Sequence, residues 1–481
     1  MIKKYTVLIS LLLTVSVYGQ IVFEKTYGTI GHDIAYSIYQ CSDNSYIICG
    51  TSQESDKGDK DVYIIKINEF GDTLWTKIET VDETSEKAYS VFEDNNQQYI
   101  IAGQAVVNNK NVPFLSKYNH DGQLFWKQTY ESEIPEGKAS MAILCDDSDY
   151  AFAGNVRYSK SGSFMLTRRN YLIKTNQNGE FLWKNDYGSN SYESSISDII
   201  ETTNNGFAIC GSKEVDIVDT DAWIIKTNEE GGLSWDHTVG QTQYAEYAHS
   251  FKQTADGGYI MCGTSIYGYT GLQSQLFIAK TNNLGVEEWR KIYDFGEDAD
   301  IAGIAIDFAN DGGYFVCANI SGIYGPPNDI LLMRTNSIGD TLWTRIHGGI
   351  NDDRVFDMHK TSDGGVIMCG LTTSFGEGGM DVFVIKTNSN GLITGTPSPH
   401  VINSIVKVYP NPSHNIINIQ SELGNSNFRI YNINGVLIKS GEISLLKNIS
   451  VSINLSNEKT GIYYLILNTK EKSVVKKLVK Y

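Results

Sequence analysis

The sequence predicts an all-β protein built from repeated units. Three observations support this prediction: a turn motif that occurs seven times, short β-rich runs on both sides of each copy, and no helical periodicity. Of the 481 residues, 41% are hydrophobic and 20% are charged, and only 8 are proline. This composition is sufficient for a hydrophobic core and excludes a mostly disordered chain.

The turn motif consists of a cationic residue, any residue, Asn, two further residues and Gly. In such a motif the Asn side chain binds the backbone two residues on, and Gly adopts the positive φ that closes a tight hairpin. With a second turn of the Asp-Gly-Gly type, each unit of about 50 residues holds four short strands, as a β-propeller blade does. The copies occupy residues 66–71, 117–122, 174–179, 226–231, 280–285, 334–339 and 386–391.

The two ends of the repeat predict how it closes. Residues 23–28 resemble the fourth strand of other units, such as residues 343–348, whereas the seventh copy of the motif is followed by no such strand. We therefore expect residues 22–27 to pair with the strand around residues 381–387. The prediction is a seven-bladed β-propeller closed by the N-terminal strand, without exposed sheet edges. An open β-solenoid is the alternative.

The N-terminal segment has the three parts of a secretory signal peptide. Lys3 and Lys4 precede an apolar run over residues 5–15, and small residues follow near Gly19. The run is too short to span a membrane, and no later segment is sufficiently long and apolar. We predict a signal peptide over residues 1–20, export, and no transmembrane segment. A buried N-terminal strand is the alternative.

One column of the repeat contains Trp, and two further columns contain the cysteines. A sugar-stacking surface is one interpretation of the Trp column; packing between blades is the interpretation we favour. Cys alternates with Ala or Thr in other copies, which predicts buried free thiols and neither a disulfide framework nor a zinc site. The Trp column contains Trp75, Trp126, Trp183, Trp235, Trp289 and Trp343, and the cysteines are Cys41, Cys49, Cys145, Cys210, Cys262, Cys317 and Cys369.

An acidic column opens the first strand of the units. If the first strand is innermost, these carboxylates surround one mouth of the channel and form a cation site or attract a basic ligand. Alternatively, each carboxylate accepts backbone N–H bonds from the loop that enters its blade. The column contains Asp33, Glu86, Glu193, Glu246, Asp300 and Asp353, with Glu136 close to it in the remaining copy.

The connections between second and third strands vary in length, whereas the turns on the opposite face hardly vary. Diversity on one face of a repeat protein indicates a ligand-binding face, although loops also diverge without function. The predicted contact residues on this face are Tyr158, Arg168, Arg169, Tyr267, Tyr269, Tyr324 and Phe375.

Charge and composition change after the last turn motif. Residues 5–406 contain 27 Lys+Arg and 52 Asp+Glu, whereas residues 407–481 contain 10 and 4. We predict a propeller over residues 21–395, a Pro-containing linker over 396–406, and a small C-terminal β-sandwich over 407–481. The acidic isoelectric point of about 4.9 has the wrong sign for a nucleic-acid partner.

The C-terminal residues carry a family resemblance. Val-Tyr-Pro-Asn-Pro at 408–412, Tyr-Asn-Ile-Asn-Gly at 431–435, Thr-Gly-Ile-Tyr-Tyr at 460–464 and Lys-Lys-Leu-Val-Lys at 476–480 stand in order. This segment resembles the type A C-terminal sorting domain of the type IX (Por) secretion system of Bacteroidetes. The resemblance implies passage across the outer membrane by the type IX machinery, removal of the domain, and either cell-surface attachment or release.

Two functions remain open for the propeller. One is a secreted or cell-surface binding propeller with a glycan or protein ligand; the other is a polysaccharide hydrolase or lyase. The sequence holds no nucleophile elbow, His-Glu-x-x-His motif, phosphate loop or EF-hand. A channel carboxylate that breaks the repeat would favour the enzyme. We expect no cofactor beyond a calcium ion, with at most a stabilising role, near residues 298–300 or 351–353.

Overall fold

The computed structural model describes residues 20–53, 60–79, 85–134, 136–159, 166–188, 192–204, 206–216, 219–267, 273–295, 299–322, 325–393, 406–411, 413–421, 426–432, 437–443, 450–468 and 473–481. Within these ranges all regular secondary-structure elements are β-strands. Apart from Gln20, the predicted signal peptide lies outside the described residues.

The described residues from Phe23 to Thr387 form seven units, each of four antiparallel strands. Unit 1 is β2 (His32–Gln40), β3 (Tyr46–Gln53), β4 (Asp61–Ile67) and β5 (Thr73–Glu79). Unit 2 is β6 (Lys87–Glu93), β7 (Tyr99–Val107), β8 (Lys110–Tyr118) and β9 (Leu124–Thr129). Unit 3 is β10 (Gly137–Leu144), β11 (Tyr150–Ser159), β12 (Leu166–Thr175) and β13 (Phe181–Tyr187).

The remaining units have the same order of strands. Unit 4 is β14 (Ser194–Glu201), β15 (Phe207–Asp216), β16 (Asp219–Thr227) and β17 (Leu233–Val239). Unit 5 is β18 (Tyr244–Gln253), β19 (Tyr259–Tyr267), β20 (Ser274–Thr281) and β21 (Glu287–Tyr293). Unit 6 is β22 (Ala299–Phe308), β23 (Tyr314–Gly322), β24 (Gly325–Thr335) and β25 (Thr341–His347). Unit 7 is β26 (Asp353–Lys360), β27 (Val366–Thr372), β28 (Asp381–Thr387) and β1 (Phe23–Tyr27).

The N-terminal strand completes the last unit. β1 pairs antiparallel with β28, from Phe23 opposite Lys386 to Tyr27 opposite Val382. The predicted pairing of residues 22–27 with residues 381–387 is therefore confirmed. A single parallel pair, Thr220 with Ala245, also joins units 4 and 5.

The turn motif has the predicted geometry and an additional role. In the first copy the Phe70 N–H donates to Asn68 Oδ1 at 2.9 Å, and Gly71 has a φ of +77°. The cationic residue is buried and binds the turn between the first two strands of its own unit: Lys386 Nζ lies 2.9 Å from the Asp363 carboxylate. The sequence analysis had assigned this cation no role.

Aromatic residues of the fourth strands pack on the next unit. Trp343 of unit 6 lies against Gly391 of unit 7, where a Cβ atom would approach the indole to 2.4 Å. Phe23 replaces Trp in unit 7 and lies against Gly71 of unit 1 in the same way. Tyr27 of the same strand donates to the Gly71 carbonyl at 2.6 Å. Packing between units is thus the correct interpretation of the Trp column.

The first strands are also joined by recurring hydrogen bonds. The Val91 N–H of unit 2 donates to Ser37 Oγ of unit 1 at 3.3 Å, and the Ile38 N–H of unit 1 donates to Asp357 Oδ2 of unit 7 at 3.0 Å. In both strands the donor is the residue directly after a β-bulge. Unit 1 therefore contacts unit 7 through the same bond by which unit 2 contacts unit 1.

The thiols and the C-terminal strands agree with the sequence predictions. All seven cysteines are free and buried. The C-terminal residues form two sheets, which enclose a core around Ile419, Ile430 and Leu465. The first sheet is β29 (Val406–Tyr409), β30 (Ile416–Ser421) and β33 (Ser450–Asn454), and the second is β32 (Leu437–Ile443), β31 (Ser426–Asn432), β34 (Gly461–Asn468) and β35 (Ser473–Lys480).

Two carboxylates of unit 7 predict a pH-dependent stability. Burial and the charge of Asp353 raise the pKa of Glu24 to about 7, and burial and the charge of Asp33 raise the pKa of Asp381 to about 6. A raised carboxyl pKa stabilises the folded state below the ordinary pKa, and this contribution is lost as the pH rises through the folded value. We therefore expect the folded state to lose stability between pH 5 and pH 8.

Glu24→Gln should raise the unfolding free energy at pH 8 by about 1–2 kcal/mol and change it little at pH 5. Thermal unfolding at the two pH values measures the difference. Glu229→Gln, on an exposed turn, is the matched control. An equal effect of Glu24→Gln at both pH values would contradict the assignment.

Candidate functional site

One cavity of about 540 Å³ is lined by residues from the first strands of all seven units. Along these strands, half-buried side chains alternate with buried ones, so that every second residue faces the cavity. Strand register defines three layers. The rim layer is Ile34, Lys87, Lys138, Ser195, Tyr247, Ala302 and Arg354; the aromatic layer is Tyr36, Tyr89, Ser140, Ser197, His249, Ile304 and Phe356; the charged layer is Tyr39, Phe92, Ile143, Ile200, Lys252, Asp307 and His359.

Three rings of the aromatic layer form a continuous cluster. The Tyr36 ring centroid lies 5.4 Å from that of Tyr89 and 5.4 Å from that of Phe356. Lys138 Nζ lies over the Tyr89 ring, 5.0 Å from its centroid. Across the cavity, burial lowers the pKa of His249 to about 4, so its imidazole is neutral at pH 7. The layer thus combines an apolar surface with neutral polar groups.

A second pocket of about 440 Å³ adjoins the cavity. It shares Lys138 and Ser197 with the cavity and is otherwise lined mainly by amides, hydroxyls and backbone. Gln104 and Asn111 come from unit 2, and Asn155 comes from unit 3. Such groups donate and accept hydrogen bonds without a net charge.

The charged layer places one lysine among aspartates from three other units. Burial opposes the charge of Lys252, but Asp198, Asp307 and Asp357 together raise its pKa above the ordinary value. His359 Nε2 lies 3.3 Å from Asp357 Oδ2, and this carboxylate raises the pKa of His359 against the effect of burial.

The three aspartates bind backbone amides of neighbouring units. Asp198 Oδ2 accepts the Phe251 N–H at 3.2 Å, and Asp307 Oδ2 accepts the Lys360 N–H at 2.8 Å. Asp357 accepts the Ile38 N–H described above. Carboxylates that break the repeat are therefore present at the channel, as a hydrolase or lyase would require, but their hydrogen bonds connect units. This arrangement favours a structural role for all three.

The predicted acidic column is divided between two register positions. Asp33, Glu86, Glu246 and Asp353 share one position and are at most 6% exposed, because their side chains point into the protein, on the opposite face of the strand from the rim layer. Ser194 and Ile301 occupy the same position in units 4 and 6. Glu193, Asp300 and Glu136 lie one residue before it, and Asp300 accepts the Ser274 N–H at 2.9 Å.

The four buried carboxylates have partners inside the protein. Asp33 accepts the Thr29 N–H at 2.5 Å and Asp353 accepts the Gly349 N–H at 2.6 Å, as the alternative interpretation expected. The other two bind cations of the fourth strands: Glu86 with Lys127 at 2.5 Å, and Glu246 with Arg290 at 3.0 Å.

The predicted loop contacts are not brought together in the described residues. Tyr269, Tyr324 and the side chains of Tyr158 and Arg168 lie outside them. Tyr267 is 59% exposed and its ring lies 5.0 Å from Tyr244, while Arg169 is half-buried in β12. Phe375 is half-buried, with its ring centroid 5.5 Å from that of Phe383, and packs against the core that units 6 and 7 share.

The sequence analysis missed the aromatic layer. Aligning the first strands residue by residue would have placed Tyr36, Tyr89 and Phe356 in one column with small and polar residues. The loops proposed for calcium give no metal centre in the described part of the chain, where no group of three His, Cys, Asp or Glu could hold an ion. Asp298 lies outside that part, and Asp352 binds Asn328 and Arg354.

A family model for the secretion system C-terminal sorting domain matches residues 407–481. These residues are a type IX sorting domain. The sorting domain indicates a Bacteroidetes protein exported by type IX secretion to the cell surface or the extracellular space. No helix among the described residues is long and apolar enough to cross a membrane.

A comparison with curated protein sequences finds no match. Among solved structures, an ulvan lyase of polysaccharide lyase family PL25 is 10% identical, with a TM-score of 0.50 over 76% of this chain and 96% of that one. A fungal alcohol oxidase of the AA5 family is 10% identical, with a TM-score of 0.45 over 95% and 98% of the two chains. At this identity the ulvan lyase supports a propeller-like all-β fold and nothing about activity.

The charged layer predicts the effect of removing its lysine. Lys252→Met should leave three facing carboxylates without their counter-charge and lower the unfolding free energy by about 2–3 kcal/mol at pH 8. Because protonation relieves the repulsion, the loss should shrink at pH 5. Chemical denaturation at both pH values measures it.

Lys213→Met is the matched control, since Lys213 pairs with Asp236 on an outer strand at 2.9 Å. Adding Asp307→Asn to Lys252→Met should recover part of the loss. A double variant that is no more stable than Lys252→Met alone would show that charge repulsion is not the cause.

Proposed function

We propose that residues 21–395 form a closed seven-bladed β-propeller that binds a glycan at one end of its central channel after export. Closure is supported by three independent contacts between units 7 and 1: the β1–β28 pairing, the packing of Phe23 on Gly71, and the Ile38–Asp357 hydrogen bond. Pairing of a third with a fourth strand recurs within the other units. The ring–glycine packing and the hydrogen bond between first strands recur between other units.

The observation that carries the binding proposal is the cluster of Tyr36, Tyr89 and Phe356. Their rings line a cavity of about 540 Å³, a volume within the roughly 300–1,000 Å³ range of small-molecule sites. Aromatic faces pack well against the apolar C–H faces of sugar rings. The three rings contact one another across units 7, 1 and 2, and all three also line the cavity, where a ligand can reach them.

The adjoining pocket supplies the polar complement. Gln104, Asn111 and Ser197 can bind sugar hydroxyl groups as donors or acceptors. Ser140 Oγ is buried and has no hydrogen-bond partner among the described residues, which favours a polar ligand at this point. A protein ligand would require a broader surface of about 800 Å² per partner, so a cavity of about 540 Å³ favours a glycan.

A polysaccharide hydrolase or lyase is the second candidate. The neutral imidazole of His249 in the cavity could act as a general base. Against this function, the three channel aspartates have backbone partners, and no pair of uncommitted carboxylates faces the cavity in the described residues. Turnover therefore has to be measured alongside binding.

The binding test is a glycan array followed by titration calorimetry of the exported chain. Tyr36→Ala or Phe356→Ala should weaken binding by about 10- to 100-fold, because each removes a packing surface for the sugar. Tyr267→Ala, at an exposed residue away from the cavity, should leave affinity unchanged.

If only Tyr267→Ala weakens glycan binding, the binding site lies at the variable loops and not in the cavity. Hydrolysis or elimination of a bound polysaccharide that His249→Ala abolishes would establish the enzyme instead.

A further inference from the structure

Carboxylates of neighbouring units occur in pairs. The third-strand position in register with Asp33 carries Asp in units 1, 4, 6 and 7, and the first strand of the following unit, unit 1 after unit 7, then carries one of the four buried carboxylates. Where the third strand has no acid at this position, the next first strand has none either. Because like charges repel, each pair needs a compensating group. The pairs are Asp61 with Glu86, Asp221 with Glu246, Asp329 with Asp353, and Asp381 with Asp33.

Three of the four pairs have such a group within the protein. In two pairs a cation of the fourth strand binds the first-strand acid, as described above for Glu86 and Glu246. In the third pair both oxygens of Asp353 accept hydroxyl groups: Thr372 donates to Oδ1, and Ser374 donates to Oδ2 at 2.6 Å. The fourth pair, between units 7 and 1, has neither arrangement.

The carboxylates of the fourth pair, Asp33 and Asp381, meet beside Gly28. A Cβ atom at Gly28 would lie 2.0 Å from Asp381 Oδ1 and 3.0 Å from Asp33 Oδ2, so only a glycine lets both carboxylates approach this point. Asp33 is 0% exposed and Asp381 is 4% exposed. Burial, the charge of Asp33 and the charge of Glu377 raise the pKa of Asp381 to about 6, and no described cation offsets them. The pair therefore concentrates negative charge inside the protein.

Two buried oxygen atoms at this pair, Asp33 Oδ1 and Ser52 Oγ, have no hydrogen-bond partner among the described residues. Ser52 is 1% exposed and lies directly opposite Asp33 in the β2–β3 pairing, so the two side chains share one face of the sheet. The hydrogen bonds from Thr29 both reach Asp33 Oδ2. Glu246 Oε2 also lacks a partner, but Arg290 supplies the positive charge there. A carboxylate oxygen and a hydroxyl oxygen are both ligands of hard cations.

We propose that Asp33 and Asp381 bind a calcium ion between units 7 and 1, with Ser52 as a neutral ligand. No third His, Cys, Asp or Glu completes the group in the described residues, so water and backbone carbonyls supply the rest of the about six to eight oxygens that calcium takes. Gly28 and residues 376–379 are exposed, which gives the ion access. With two carboxylates the Kd should be about 0.1–1 mM, as in extracellular calcium modules.

The test measures unfolding and calcium binding of the full chain. After EDTA treatment and desalting at pH 7.5, the protein should unfold about 2–5 °C higher in 10 mM CaCl₂ than in NaCl of the same ionic strength. MgCl₂ should have less effect, because magnesium requires a more regular site and gives up its water less readily. Calorimetry should give the Kd stated above.

Asp381→Asn should raise the unfolding temperature without calcium, because it removes the repulsion, and should abolish the response to calcium. Ser52→Ala should weaken calcium binding about threefold to tenfold and change the calcium-free protein little. Asp221→Asn is the matched control. It removes the same third-strand acid at the junction where Arg290 neutralises Glu246, so calcium binding should be unchanged.

Three results would overturn the proposal: no rise in unfolding temperature with calcium, an equal rise with MgCl₂, or a calcium response that persists in Asp381→Asn. If Asp381→Asn stabilises the protein while calcium has no effect on the unsubstituted chain, the pair holds a proton and no metal ion. Glycan binding is measured separately and does not depend on these outcomes.

Discussion

The packing of a fourth-strand aromatic ring on a glycine of the following unit is the contact on which the rest of the structure depends. Trp75 lies on Gly122 and Trp343 lies on Gly391, where a side chain would collide with the indole. The contact has a direction, so a linear array would leave one ring and one glycine without partners. Phe23 and Gly71 remove this defect, because the chain supplies the missing ring from its own N-terminal strand.

These junctions allow the channel-facing residues to vary. Once aromatic rings and bulge hydrogen bonds join the units, the alternate positions that face the axis are under no packing constraint from the repeat. Some have diverged for structure: Asp357 takes the acceptor role that Ser37 has in unit 1, and Lys252 compensates the added charge. Tyr36 and Phe356 contact each other between units 1 and 7 and also line the cavity, where we propose that they bind a ligand.

The sequence predicted those features that repeat. The Asn-x-x-Gly turns, the Trp column, the buried thiols and the β1–β28 pairing all follow from a residue type at a fixed spacing. The acidic column did not predict one common position, because Glu193 and Asp300 lie one residue before the position of Asp33, and a shift of one residue in a strand exchanges the faces of the sheet. The aromatic cluster has no periodic signal, since three rings among 29 Tyr and 18 Phe become a site only through the register of seven strands.

The proposed channel limits how a ligand can reach the aromatic cluster. Residues from the first strands of all seven units line the cavity. In the closed propeller that we propose, a ligand would therefore approach the cluster along the axis. An end or a short branch of a glycan meets this constraint more easily than the middle of a long chain, since a chain end enters without bending the polymer.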